Sequence, residues 1–174
     1  VNAMKPGHPC IVGTWPFVSD LRTGAMSGGS GEQGLLTAAC AQMLQYYNLP
    51  GGAASGMADA KMPDAQSGYE KGSTLVMAGL SGLNMVYEAA GMHASLLGFC
   101  LESLIIDNDM LGQCLRCVRG IEVSDQTIGI QVMKDVCMGG AGHYLGHDQT
   151  IGLMQTEYIL SLIHISEPTR PSQI

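Results

Sequence analysis

Short apolar or small-residue runs that stop at a polar residue alternate along this chain with stretches patterned every three to four residues. That alternation constrains the fold more than any other feature, because strands each followed by a helix build βαβ units around a parallel sheet. Ile11-Val12-Gly13-Thr14 reads as a first strand, residues 52–57 as a tightly packed second, and Asn84-Met85-Val86-Tyr87-Glu88 as a third. Ser103-Leu104-Ile105-Ile106-Asp107 is the clearest of all, a β-branched run closing on a carboxylate. Between them, Ser30 is a good N-cap with Gln33 at the capping-box position, and Leu35, Leu36, Ala39, Cys40, Met43, Leu44 and Tyr47 share a helical face. Asn48-Leu49-Pro50-Gly51-Gly52 stops that helix, and Asp64 caps a second one through about Gly82. A short helix is expected over residues 94–100, then helices over 109–119, 124–138 and about 147–158. Roughly four βα units fit, about half of a (β/α)8 TIM barrel of typically ~250 residues. An open doubly wound sheet has the same local pattern, so periodicity leaves both architectures open.

Composition narrows the function classes. The 174 residues suffice for one domain, with 46% hydrophobic and only 13% charged residues, so the chain can bury a core. Eight Lys and Arg against 15 Asp and Glu give a net charge of −7, which disfavours nucleic acid. Gly, Asp, Glu or Asn interrupts every apolar stretch before the ~18 residues that a transmembrane helix needs. No apolar signal-peptide core follows Val1, and six Cys read as reduced thiols, so the expected location is cytoplasmic. The two ends look foreign. Val1 reads as an entry into the middle of a longer protein, and residues 160–170 match the translation of a transposon-end adapter used in sequencing libraries. The expectation is a fold confined to residues 1–159, the C-terminal half of a barrel, with 160–174 outside it.

Several motifs invite chemistry. Gly29-Ser30-Gly31-Glu32-Gln33-Gly34 fits the dinucleotide string G-x-G-x-x-G, but no convincing strand precedes it and Glu32 would repel a pyrophosphate. A tight loop feeding a capped helix explains it better, although the loop can still offer N–H groups to a ligand. Cys114 and Cys117 have C-x-x-C spacing inside a helix without a second pair, which reads as two core-facing small residues. His143 and His147 lie four apart beside Asp148, but the surrounding glycines make this a hydrogen-bonded loop or pocket wall rather than a metal site. Asp107-Asn108-Asp109 lacks the remaining ligands of a calcium loop. Met57, Met62, Met77, Met85, Met92 and Met110 read as core, and Glu70-Lys71 as an exposed ion pair. In a barrel the chemistry sits where strands end, which singles out Asp20, Asp59, Glu88, His93 and Asp107 by position.

A set of strings resembles one family. They include Asp20-Leu21-Arg22-Thr23-Gly24, Pro63-Asp64-Ala65-Gln66-Ser67-Gly68-Tyr69-Glu70-Lys71, Tyr87-Glu88-Ala89-Ala90-Gly91, Ile106-Asp107-Asn108-Asp109, Val118-Arg119-Gly120-Ile121 and Gly142-His143-Tyr144-Leu145. In order and spacing, nearly all of residues 16–158 is similar to the trimethylamine methyltransferase superfamily of corrinoid-dependent enzymes. The resemblance implies a (β/α)8 barrel that transfers a methyl group from a tertiary or quaternary methylamine, of the trimethylamine or glycine betaine type, to Co(I). The corrinoid is carried by a cognate partner protein, with no metal bound directly by the barrel, in the one-carbon metabolism of methanogenesis and related pathways.

Charge and cation–π attraction hold a quaternary cation, which has no N–H to donate. On that chemistry Asp20, Asp59, Tyr69, Tyr87, Asp107, His143 and His147 are candidates for the substrate, and Ser27, Gly28 and Gly29 for the cofactor side. Glu88 and His93 are the catalytic candidates, because a tertiary amine needs acid–base help at its nitrogen and a quaternary ammonium does not. True trimethylamine enzymes carry pyrrolysine, which these 174 residues do not show, so the substrate stays open between trimethylamine and a betaine. Homo-oligomerisation is compatible with this reading. Two rivals stand beside it: a barrel enzyme binding a phosphorylated or nicotinamide ligand at the Gly-rich loop, and an inert truncated barrel with exposed strand edges.

Overall fold

The computed structural model describes residue 1 and residues 3–158, which divide into two compact units, Val1–Val118 and a second beginning at Arg119. The expected foreign tail, residues 160–174, lies outside the described residues. In the first unit a three-stranded parallel sheet has the order β1 (Val12–Thr14), β4 (Gly51–Ala54), β5 (Met85–Tyr87). Val12 pairs with Gly51, and Gly52 with Met85. A small antiparallel pair, β2 (Val18–Ser19) and β3 (Met26–Ser27), follows β1 and leads into helix α1 (Gly31–Tyr46). Helix α2 (Ala65–Leu80) connects β4 to β5. The unit is mixed α/β with two parallel crossovers, and all three strand C-termini fall on one edge of the sheet.

Local chemistry explains the helix limits. The Ser30 hydroxyl accepts the Gln33 N–H at 3.2 Å to open α1, and Asp64 accepts the Ser67 N–H at 2.9 Å to open α2. Asn48, at φ +53°, ends α1 in a left-handed turn where Leu49 N–H bonds Leu44 and Asn48 N–H bonds Gln45, both at 2.9 Å. The capping box at Gln33 is only half made. Its side chain is fully buried and donates to the Ala54 carbonyl at 3.2 Å, tying α1 to β4.

The central strand can be Gly-Gly-Ala-Ala because both faces are closely approached. A Cβ on Gly51 would collide with the Leu44 side chain of α1, while one on Gly52 would meet the Tyr87 ring on the other face. The core is built of small residues, with Ala41, Ala53, Ala54, Ala58 and Ala78 around Leu44, Met57 and Leu75. Of the methionine series only Met57 is fully buried; Met62 and Met85 are exposed, because they fall on a loop and an outer strand.

Two expected elements change type. Residues 103–107 are not a strand but the start of helix α3 (Leu101–Arg119). Ser103, Asp107 and Cys114 recur at helical spacing as its buried face, while Leu104, Ile105 and Ile106 are exposed. A short apolar run fits a strand or a helix equally, and tertiary bonds to Ser103 and Asp107 decide it. Residues 94–100 are not helical either. They belong to a hairpin of β6 (Met92–His93) and β7 (Gly98–Phe99), with Ala94, Ser95 and Leu96 at φ +49°, +51° and +78°. Bonds from the Ala94 N–H to Ala60 and the Ser95 N–H to Ala58, both 3.0 Å, override the helix propensity of Ala and Leu.

In the second unit the single helix expected over 124–138 is two, α4 (Asp125–Ile128) and α5 (Ile130–Cys137), broken where Gly129 turns left-handed at φ +66°. Ser124 opens α4 in a reciprocal box with Thr127, and α6 (Asp148–Glu157) begins at His147. No helix among the described residues is long and apolar enough to cross a membrane.

Candidate functional site

Parallel strands place the residues that follow them along one rim of the sheet: Trp15 to Phe17 after β1, Ser55 to Ala60 after β4, and Glu88 to Gly91 after β5. Asp59 is the hub of the middle segment. Its Oδ1 accepts the N–H groups of Gly28 at 2.7 Å and Gly29 at 3.3 Å together with the Ser95 hydroxyl, and its Oδ2 accepts the Ser27 hydroxyl. Burial alone pushes the Asp59 carboxyl up, but the donors from Ser27, Ser95, Gly28 and Gly29 outweigh it and hold the group below the usual carboxylate range. The Gly-rich loop is therefore an anion cradle whose anion is internal, and the Gly28 and Gly29 amides are committed to it. Glu70 completes the cradle from α2, accepting the Asp59 and Ala60 N–H groups at 2.8 and 3.2 Å. Gly29 has no room for a side chain, since a Cβ there would sit 2.8 Å from Glu70 Oε2. Asp59 and Ser95 line an open cleft of about 910 Å³ with Asp20, Ser27, Glu32 and Lys61. At its mouth Asp20 is gripped by the Arg22 guanidinium at 3.0 Å, and hydrogen bonds from Arg22 hold its carboxyl down at about 2.

Behind the cradle lies a buried polar network. Lys71 is fully buried, and its Nζ stands 2.6 Å from Asp107 Oδ2 and 3.3 Å from His93 Nε2. Asp107 Oδ2 also accepts the Gly91 N–H at 2.7 Å. His93 faces the Ala60 carbonyl with Nδ1 at 3.2 Å, which makes Nδ1 the protonated nitrogen and leaves Nε2 to accept from Lys71 and from Ser103 at 2.5 Å. The Glu70–Lys71 ion pair expected on the surface is thus no pair. The two side chains are buried in separate networks, because a helix turns successive residues about 100° apart.

The β5 end is different. Tyr87 crosses the sheet over Gly52 and Gly13, and its hydroxyl donates to the Thr14 carbonyl at 2.7 Å. Burial, then the neighbouring Glu88 charge, pushes the Tyr87 phenol up. Trp15 meets Tyr87 edge-on at 6.1 Å between ring centroids and lies 5.4 Å from Phe17. Glu88 holds φ +65°, a conformation rare for a side chain of its size, and its Oε2 is buried with no partner among the described residues.

The family model for trimethylamine methyltransferase matches residues 1–170. The chain belongs to the trimethylamine methyltransferase family. It is 35% identical to a trimethylamine methyltransferase of Desulfitobacterium hafniense over 151 residues, 87% of this chain and 30% of that protein. It is 37% identical to one from Methanosarcina thermophila over 83% of this chain and 29% of the relative. A glycine betaine methyltransferase of Desulfitobacterium hafniense is 34% identical over 86% of this chain and 31% of its own length. The chain thus spans about 30% of the length of the curated relatives it matches.

Within this family member, the residues singled out by position part company. Asp20, Asp59 and Ser27 meet at the cleft, with the Gly28 and Gly29 amides bound to Asp59. Asp107 is not at a strand end; it is a helix residue buried against Lys71. His93 is buried beside it, with both ring nitrogens engaged. Tyr69 is exposed on α2, and Tyr87 and Glu88 stand at the β5 end. In the second unit the Nδ1 of His147 accepts the Gln149 N–H at 3.1 Å as a helix cap, while His143 is exposed. Of the C-x-x-C pair only Cys114 is buried, and burial pushes its thiol up; Cys117 is exposed. Sequence reasoning passed over Lys71, Ser95, Trp15 and Phe17. The Trp15-Pro16-Phe17 run directly after a strand was the available signal for two of them.

Proposed function

We propose that this chain is the C-terminal half of a (β/α)8 barrel whose parent protein moves a methyl group from a methylated amine to the Co(I) of a cognate corrinoid protein. The observation that carries the reading is similarity to both trimethylamine and glycine betaine methyltransferases over more than four fifths of the chain. Cobalt(I), carried in as a substrate, supplies the electron pair that forms the new bond to the methyl carbon. The C–N bond breaks with its pair going to nitrogen, so a cationic amine leaves as a neutral one and no other redox partner is needed. The barrel holds the cation, aligns the methyl carbon and keeps water away. A rim that offers carboxylates and open aromatic rings, with Trp15 48% and Phe17 40% exposed, fits a methylated cation approached from outside by a bulky macrocycle. No residue of this chain is assigned to the cobalt, and the reaction is placed in the cytoplasm.

The geometry favours a quaternary substrate of the betaine type over trimethylamine. A quaternary substrate carries its charge without a proton, whereas trimethylamine releases a neutral amine only when it is protonated. His93, the candidate for supplying that proton, is buried with both nitrogens committed. The experiment offers glycine betaine and trimethylamine separately to the parent protein with Co(I) corrinoid and follows the loss of Co(I) absorbance. Loss with the betaine supports the reading. Loss with neither removes it.

A further inference from the structure

We propose that the outward faces of α1 and α2 form a self-association surface, on which a second copy of the parent protein docks across a two-fold axis. The inference goes beyond methyl transfer. It rests on the barrel reading only for which faces of these helices stay open once a barrel is complete.

Contacts fix the inward sides of the two helices. On α1 the Gln33 side chain bonds the Ala54 carbonyl and Leu44 occupies the space over Gly51, so Gln33, Thr37, Ala41 and Leu44 face the sheet. The side toward α2 is equally fixed. A Cβ on Gly34 would stand 3.1 Å from the Met77 Sδ, and Gln45 Nε2 donates to the Ser81 carbonyl at 2.7 Å. Leu36, Cys40, Met43 and Tyr47 recur on the flank away from α2, where a barrel packs its preceding helix. What remains on α1 is the stripe Leu35, Ala39, Gln42 and Tyr46, all exposed. On α2 Ser67, Lys71, Thr74 and Ala78 are buried, and Tyr69, Ser73, Val76 and Leu80 recur on the opposite side at the same spacing as the α1 stripe. Gly34 lets the two helices approach closely, so the stripes adjoin as one surface.

That surface is apolar and uncharged. Leu35, Tyr46, Tyr69 and Leu80 are between 62% and 79% exposed, and neither stripe holds a charged residue. The charged residues of the two helices are Glu32, in the first turn of α1, and Glu70 and Lys71, both buried. A helix that faces water carries charge on that side, as α3 does with Glu102, Asp109, Arg116 and Arg119 outside its buried face. Apolar residues exposed singly are ordinary; a contiguous apolar face marks an interface.

Charge and position choose the occupant. The chain bears −7, so like copies repel where their acidic surfaces meet, and a face without charge lets them touch. Tyr46 and Tyr69 supply aromatic anchors, and a two-fold axis brings the same patch of each copy together. A corrinoid carrier has to reach the strand-end rim instead, because that is where a barrel does its chemistry.

Analytical ultracentrifugation of the parent protein tests the surface. The expected result is a reversible dimer, or an even-numbered oligomer built from it, whose dissociation constant weakens at least tenfold in Tyr46→Lys and in Leu80→Lys. Each substitution makes the protein less acidic, so the loss cannot come from added net repulsion. Circular dichroism confirms that each variant folds; where a lysine variant does not, Tyr46→Ser and Leu80→Ser carry the same expectation at a severalfold weakening. In the unmodified protein the constant should hold or tighten from about 50 to about 500 mM sodium chloride, since no ion pair crosses the face. A monomer at every concentration, an unchanged constant in both folded variants, or a constant weakened severalfold by salt overturns the proposal. So does loss of corrinoid-protein binding in the variants with self-association intact, which would seat that protein on this face. Self-association without methyl transfer from any amine sinks the enzymatic reading alone. Methyl transfer by a protein that stays monomeric sinks the surface alone.

Discussion

Asp59 and Glu88 follow neighbouring strands of one sheet, yet the fold treats them in opposite ways. Around Asp59 the donors are in place: two loop amides and two hydroxyls, while a second carboxylate accepts from the backbone behind it. Behind that cradle, the buried side chains of Lys71, Asp107, His93 and Ser103 bond to one another. Around Glu88 nothing has been recruited, although its carboxylate oxygen is just as hidden. A polar group whose bonds are complete stabilises the structure; one left open costs free energy where it is buried. The difference separates scaffold from candidate site more sharply than proximity to a strand end does.

The largest expected effect tests the completed half. Lys71→Met leaves Asp107 buried without its cation and should cost about 3–5 kcal/mol, read by urea unfolding. A companion Lys71→Met/Asp107→Leu chain should regain much of that loss, because the uncompensated charge is gone. A single variant as stable as the parent would show that the network is not closed. Next, Asp59→Asn strips a carboxylate from four donors and should cost roughly 1.5–3 kcal/mol by the same measurement.

A smaller effect appears in acid. Folding lowers the Asp59 pKa, so the fold gains from its ionised form at any pH above the ordinary carboxylate value and loses that gain as pH falls through the folded one. Stability should decline below about pH 4. Asp20, held at about 2, titrates in the same window, so the informative quantity is a difference. Ser95→Ala removes one donor from Asp59 and should shrink the acid-dependent part of stability relative to the parent chain. An identical pH profile would break the cradle argument. The smallest effect belongs to the open half: Glu88→Gln removes a charge whose buried oxygen has no donor and should leave stability unchanged or raise it by roughly 0.5–1 kcal/mol. A large destabilisation would place Glu88 with the scaffold and erase the contrast.

Much of the framework was legible because its determinants are local. Ser30, Asp64 and Ser124 mark helix starts by the groups they offer to the first free N–H donors, and each is found at such a start. The strands at 12–14, 51–54 and 85–87 follow from runs that alternate with those helices. The hairpin at 92–99 and the α3 face were not legible, since their conformations depend on Ala58, Ala60, Lys71 and Gly91, which are distant in sequence. The same holds for the site. Asp59 and Glu88 could be singled out by strand position, but not which of them is satisfied.

By itself, then, the sequence determined the family, the helix caps, the parallel βα alternation and the carboxylates that follow its strands. All of these are written in residue type and short spacing. Only the tertiary structure decided that Ile105 and Ile106 lie on a helix, that Ala94 to Leu96 turn left-handed, that Lys71 is buried against Asp107, and that Glu88 remains open. The physical reason is common to the first three. A buried polar group must find its partner wherever the chain brings one, and where it finds one across the fold, that bond outweighs propensities worth less than ~1 kcal/mol per residue.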